Sequence, residues 1–298
     1  MKLARVYFKI PVAATGNCLY SAASRSYANA CSENEPKQPS MPMLMIAAAL
    51  EEELETAKSL FPESERIQGE KLKFWRAVRD GRTIGFLKTG VGPRRSAERL
   101  QEALKVARPS HILVIGYAGA LNPALKLGSL VAVEKAKAFS LEANPPAWEH
   151  VRIEGEFKLA NGELLLQSAI SAGLSACSGD TLTSSYVLGK PEHKRLLYER
   201  FRAATVDMET ASLARVAQSE AIPLSCIRVI SDEAADTFLT PFSYDPSAGI
   251  PARAMQLLGT GVLETYREWR EHSSVAKERL SRFLSRYLAQ DTGFEIRD

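Results

Sequence analysis

The chain has 298 residues, 45% of them hydrophobic and 24% charged. This suffices for one large α/β domain and excludes a disulfide-stapled miniprotein or a disordered charged tail. The formal net charge of +3 resides in residues 1–40, leaving a neutral body without the basic stripe that nucleic-acid binding requires. No membrane span is expected, because even the apolar run 44–50 is cut by Glu51, Glu52 and Glu53.

Residues 1–40 carry Lys2, Arg5, Lys9, Arg25 and Lys37 against Glu33 and Glu35, end in a Pro-rich polar stretch and are followed at once by Met41 and Met43. They read as an N-terminal extension, disordered or lying ahead of the true start. Ala28-Asn29-Ala30 before Cys31 mimics a cleavage site, but Lys9, Pro11, Gly16 and Asn17 interrupt the apolar stretch that a signal peptide needs. Cys18, Cys31, Cys177 and Cys226 are scattered without a C-x-x-C pair, so no zinc site or disulfide framework is expected and a reducing, cytoplasmic compartment fits.

From residue 44 onward the hydrophobic periodicity predicts, in chain order, a strand at 44–48, a helix at 51–60, strands at 73–78 and 83–88, and a helix at 93–107. Strands at 111–115 and 129–136 follow, then helices at 162–172 and 191–201, a strand at 203–206, a helix at 208–220 and a strand at 224–230. Two helices, 252–270 and 275–289, close the chain. The continuously apolar Ile112-Leu113-Val114-Ile115 needs cover on both faces. The expected fold is therefore α/β: a three-layer sandwich with a central twisted mixed β-sheet flanked by helices. One domain is read over 41–272, with a C-terminal helical tail at 273–298. The tail's Leu280, Phe283, Leu284, Tyr287 and Leu288 form an apolar face that must dock on the domain or on a partner.

Open α/β sheets bind ligands at the C-terminal ends of their strands. Five segments fall at or near such ends: Leu50-Glu51-Glu52-Glu53, Thr89-Gly90-Val91-Gly92, Gly116-Tyr117-Ala118-Gly119, Val206-Asp207-Met208-Glu209 and Ser231-Asp232. Each alone has an ordinary explanation. The glutamates suit a helix N-terminus, Asp207 and Glu209 could be helix-start acids, and Asp232 could cap a turn. Gly90-x-Gly92 opens like a dinucleotide fingerprint, but Arg95 takes the third glycine position. The four histidines form no metal or triad pattern, so neither a metal nor an organic cofactor is expected.

Taken together, these segments resemble the purine nucleoside phosphorylase and uridine phosphorylase superfamily, most closely its methylthioadenosine/S-adenosylhomocysteine nucleosidases. The resemblance rests on Ile46-Ala47-Ala48-Ala49-Leu50-Glu51-Glu52-Glu53-Leu54, Lys88-Thr89-Gly90-Val91-Gly92, Ile115-Gly116-Tyr117-Ala118-Gly119-Ala120-Leu121, Lys126-Leu127-Gly128-Ser129, Ser178-Gly179-Asp180, Val206-Asp207-Met208-Glu209 and Arg228-Val229-Ile230-Ser231-Asp232. It covers roughly residues 43–270. Departures are Tyr117 for a small serine, Ala120 for glycine and Asp207 for glutamate. Leu182 and Thr183 stand where an aromatic and an aliphatic residue usually surround the base.

The resemblance implies hydrolysis of the N-glycosidic bond of an adenine nucleoside such as methylthioadenosine or S-adenosylhomocysteine, within nucleoside catabolism and methionine salvage, by a homo-oligomer, a dimer for preference. It implies Glu53, Glu209 and Asp232 as the catalytic acids, holding the water, the ribose and the purine respectively. Gly92, Ala118, Gly119, Leu182, Thr183, Met208 and Ser231 are implied as substrate contacts. Asp232, as proton donor, needs a raised pKa from burial or a neighbouring acid. Alternatives are a phosphate-dependent phosphorylase and a nucleosidase for an adenosylated hopanoid lipid. Val114, where a phosphate-binding arginine would stand, argues against phosphorolysis, and Arg94 and Arg95 read as solvated helix-start residues. A binding protein without chemistry would have lost one of the three acids, and all are present.

Overall fold

The computed structural model describes residues 42–67, 72–141, 151–185, 187–237 and 262–290. The expectations for residues 1–40 and for a helix at 252–261 lie outside these residues. The first strand shows why the fold is layered. β1 (Met43–Ala48) is buried along its whole length and runs parallel between β4 (Arg82–Lys88) and β5 (His111–Ala120). Its alternate side chains enter two different cores. Leu44, Ile46 and Ala48 face α1 (Glu51–Lys58), α3 (Gly162–Ser171) and the last helix, α6 (Val262–Ala289). Met43, Met45 and Ala47 face α2 (Pro93–Val106) and α5 (Thr210–Ser219). This is the mixed sheet flanked by helices that the sequence predicts.

The pairing goes further than the prediction. β5 also pairs in parallel with β10 (Leu224–Asp232), which pairs antiparallel with β6 (Leu130–Leu141). β6 pairs with β8 (Ala176–Thr183), β8 with β9 (Thr205–Asp207), and β9 returns to β5 at Gly119 and Ala120. Half of the sheet thus closes on itself, while β1, β4, β3 (Phe74–Arg79) and β2 (Glu65–Arg66) extend it on one side and β7 (Val151–Lys158) pairs with β6. α4 (Pro191–Phe201) lies between β8 and β9 in sequence.

β2, β7 and β8 are not legible in the sequence. β7 buries little beyond Val151, and β8 is built on Ser178-Gly179-Asp180, poor strand formers. Gly179 belongs there because a Cβ would stand 2.7 Å from that of Ala204. At the C-terminus one helix replaces the two expected, continuing through Ser273 and Ser274, with Ser273 buried. Its Ala276, Leu280, Phe283, Leu284 and Tyr287 complete the first core. Among the described residues no helix is long and apolar enough to cross a membrane.

Candidate active site

A cavity opens where β1, β5, β9 and β10 end. It is lined by Glu53, Asp207, Glu209 and Asp232 together with Ala49, Leu50, Val91, Tyr117, Ala118, Gly119, Val187, Leu188, Val206, Met208 and Ser231. The three expected acids and Ala118, Gly119, Met208 and Ser231 therefore converge. Gly92, Leu182 and Thr183 do not line the cavity, a correction to the expected contacts. Leu182 is fully buried against Leu121, Phe139 and Val206, on the strand face opposite to its neighbours. Thr183 turns its hydroxyl to Asp207 at 2.8 Å and accepts the amide of Ala211 at 2.9 Å. Gly92 acts indirectly, donating its amide to Glu209 Oε1 at 2.9 Å.

Glu53 is the third residue of α1, and Oε2 accepts the Leu50 amide at 2.8 Å, the back-bond of a helix-start glutamate. The same carboxylate reaches the sheet, where Oε1 accepts the Tyr117 amide at 2.9 Å. The side chain is thus both a helix-start acid and a cavity wall. Burial pushes its carboxyl above the ordinary value, against the pull of the two amides and of Arg228. Gly116 makes this approach possible, since a Cβ there would lie 2.6 Å from Arg228 Nη1 and 2.8 Å from Glu53 Oε1.

Glu209 precedes α5 in a non-helical conformation, so the helix starts at Thr210, two residues later than the sequence predicts. Burial pushes its carboxyl up to about 7, with Asp207 and Glu53 adding repulsion and Arg228 and the Gly92 amide opposing it. Asp207 explains the late start. Its Oδ1 accepts the amides of Glu209 and Thr210, each at 3.1 Å, and so holds the chain at the head of the helix. Oδ2 takes Arg228 Nε at 3.1 Å, Thr181 Oγ1 at 3.2 Å and a short bond from the Thr210 hydroxyl. Arg228, 1% exposed, also donates to Thr210 Oγ1 at 2.7 Å and lies 3.7 Å from Glu209 Oε2. The shorter Asp207 side chain is the hub beneath the cavity.

Asp232 ends β10 with Oδ1 accepting the Ser231 hydroxyl at 2.9 Å and Oδ2 accepting Lys194 Nζ at 2.6 Å. Of the two expected surroundings, burial or a neighbouring acid, Asp232 has the first, while the charged group beside it is an ammonium. Gly119 clears room for this carboxylate, since a Cβ would stand 2.7 Å from Oδ2. The sequence reading assigned no role to Arg228 or Lys194. The Tyr117 hydroxyl is buried without a hydrogen-bond partner among the described residues, and burial raises the phenol pKa, reinforced by Glu53 and Glu52. Val114 is buried in the second core, while Arg94 is solvated beside Glu98.

The family model of the Phosphorylase superfamily matches residues 44–289, extending the likeness through α6, past the 270 read from the motifs. A 5′-methylthioadenosine/S-adenosylhomocysteine nucleosidase of Geobacillus thermodenitrificans is 26% identical over 198 residues, 64% of this chain and 84% of that protein. A mutant of the corresponding Helicobacter pylori enzyme, solved with 5′-methylthioadenosine in its active site, has a TM-score of 0.65 at 18% identity, over 83% of this chain and 98% of its own. The futalosine hydrolase of Helicobacter pylori gives 0.66 at 19% identity, over 83% and 97%. At these identities the solved structures show a shared fold. The match over nearly all of residues 42–290 establishes that the chain is an enzyme of the phosphorylase superfamily.

Proposed function

We propose that the protein is a nucleosidase that hydrolyses the N-glycosidic bond of an adenine nucleoside such as methylthioadenosine or S-adenosylhomocysteine and releases adenine. The observation that carries this reading is the lining of the cavity by four carboxylates, Glu53, Asp207, Glu209 and Asp232. Asp207 and Asp232 are each paired with a buried cation, so Glu53 and Glu209 are left to face a sugar that becomes cationic as its bond to the base breaks, and among the described lining residues no lysine or arginine is offered to a phosphate dianion.

In this reading Glu209 accepts hydrogen bonds from ribose hydroxyls, and Met208 lies against the apolar face of the sugar. Glu53 holds a water on the face opposite the base and takes its proton as oxygen bonds to C1′. A carboxylate made more basic by burial is suited to that task. The electron pair of the C1′–N9 bond departs with the purine, which takes a proton from Asp232. The relatives' names support an adenine nucleoside as substrate. Cys177 and Cys226 are free thiols, in keeping with a cytoplasmic enzyme, and the resemblance supports a homodimer.

Incubation with methylthioadenosine, S-adenosylhomocysteine, adenosine and inosine, each with and without phosphate, tests the reading. Free base and free sugar without phosphate are expected. Strict phosphate dependence with a sugar 1-phosphate as product overturns hydrolysis.

A further inference from the structure

Lys194 lies in the first turn of α4 and has no exposed surface. A buried ammonium is costly unless paired. Its Nζ meets Asp232 Oδ2 at 2.6 Å, the Glu233 carbonyl at 2.7 Å and the Asp236 carbonyl at 3.4 Å. Among the described residues two of its acceptors are neutral carbonyls, which a neutral donor could satisfy. The third is the carboxylate that lines the cavity and lies against Gly119. The oxygen held by lysine is also the one nearer the place a side chain would fill at that glycine, 2.7 Å from a Cβ built there against 3.3 Å for Oδ1.

We propose that the proton delivered to the departing purine originates on Lys194 Nζ and passes through Asp232. This rests on the nucleosidase reading above. In the resting pair the proton belongs to the ammonium and Asp232 is a carboxylate. As the C1′–N9 bond breaks, its electron pair moves onto the purine. An Nζ–H bond breaks, the proton forms an O–H bond at Oδ2 and moves on to the purine nitrogen. Lysine is left as the neutral amine and Asp232 as a carboxylate again. After the base departs, Glu53 gives the proton it took from the attacking water to solvent and the amine takes one from solvent, so both groups return to their starting states. Lys194 is accordingly a positioning residue, acting only through Asp232.

The test compares the parent with Lys194→Gln, Lys194→Arg and Asp232→Asn on two substrates: the adenine nucleoside the parent cleaves best, and a p-nitrophenyl riboside whose leaving group needs no proton. Glutamine can still bond the two carbonyls, and arginine keeps the charge but does not release its proton. Folding is checked by circular dichroism, and whichever Lys194 variant folds carries the test. Expected is a kcat loss of about 10²- to 10⁴-fold on the nucleoside with KM little changed, and p-nitrophenyl riboside cleavage within about tenfold of the parent. An equal loss on both substrates, full nucleoside activity in Lys194→Gln, or restored activity in Lys194→Arg overturns the proposal. Failure of the nucleosidase reading looks different: the parent then releases no free base and sugar from any nucleoside in the absence of phosphate.

Discussion

The amide of Gly92 donates to Glu209 Oε1 at 2.9 Å, tying the turn after β4 to the head of α5 across 117 residues of sequence. Gly92 adopts φ of +98° to present that amide, a conformation that favours glycine. The bond does not offset burial, which holds the Glu209 carboxyl near 7. Between the ordinary value of 4.5 and about 7 the folded protein therefore binds more protons here than the unfolded chain. The contribution of Glu209 to stability consequently falls as pH rises through that window. Glu209→Gln is free of this penalty, so its stability relative to the parent should increase from pH 4.5 to pH 8, by up to roughly 3 kcal/mol. Urea denaturation at the two pH values measures it, and a constant difference refutes it. Parent activity should rise through about pH 7 as Glu209 ionises.

Glu53 bonds two amides that belong to different elements, Leu50 and Tyr117. A glutamine side-chain oxygen can accept from one while losing the basicity that activates water. Glu53→Gln should abolish turnover while substrate binding stays within roughly tenfold, read by single-turnover kinetics and calorimetry. Unchanged turnover would reduce Glu53 to a helix-start residue.

Gly116 separates Arg228 from Glu53, and its φ of +152° is a second reason for glycine. A methyl group there cannot fit without moving one of two buried charged groups. Gly116→Ala should lower kcat/KM by at least about tenfold, since small displacements of a positioned group are costly. Gly162→Ala is the control, because a Cβ at Gly162 meets nothing within 4 Å. Equal activity in the two variants would contradict the packing.

How far the sequence reveals this site depends on where each residue's partners come from. Glu53 and Glu209 stand at strand–helix junctions and Asp232 at a strand end, all within short motifs, so local pattern finds them. Arg228 sits in one of those motifs, yet its function needs Asp207, Thr210 and Tyr117 from three other segments. Lys194 is flanked by Glu192, His193 and Arg195 and reads as one more solvated charge. The available signal was its place three residues before Leu197 and seven before Phe201, on the apolar stripe of α4. Closure of β5, β10, β6, β8 and β9 into a ring is equally nonlocal, because β9 contributes only three residues and β8 is written in small polar ones.

The described structure begins at residue 42, β1 at Met43 and the family match at 44. Residues 1–40 differ from the body in composition and carry the whole net charge of +3. We propose that residues 1–40 add nothing to the fold, so a chain begun at Met41 should retain its melting temperature and activity. A loss of more than a few degrees by calorimetry would show that they pack on the domain.

The pair of Asp207 and Arg228 is the clearest stability test, because each side chain is 1% exposed and Nε lies 3.1 Å from Oδ2. Asp207 receives hydrogen bonds from Thr181, Thr183, Thr210 and two amides besides the guanidinium. Asp207→Ala would leave Arg228 buried with only Glu209 and Glu53 to balance its charge, and would free the amides of Glu209 and Thr210 at the head of α5. Loss of one partner of a buried ion pair costs about 3–5 kcal/mol, and loss of the bonds to the two amides about 1 kcal/mol more. Arg228→Met should be comparably harmful, since it strands Asp207. The double variant Asp207→Ala/Arg228→Met removes both charges and should be less destabilised than the sum of the singles by about 2–3 kcal/mol. Urea denaturation of all four proteins closes the cycle. Additive losses would mean that the two charges are screened from each other, against their 3.1 Å contact in a buried site.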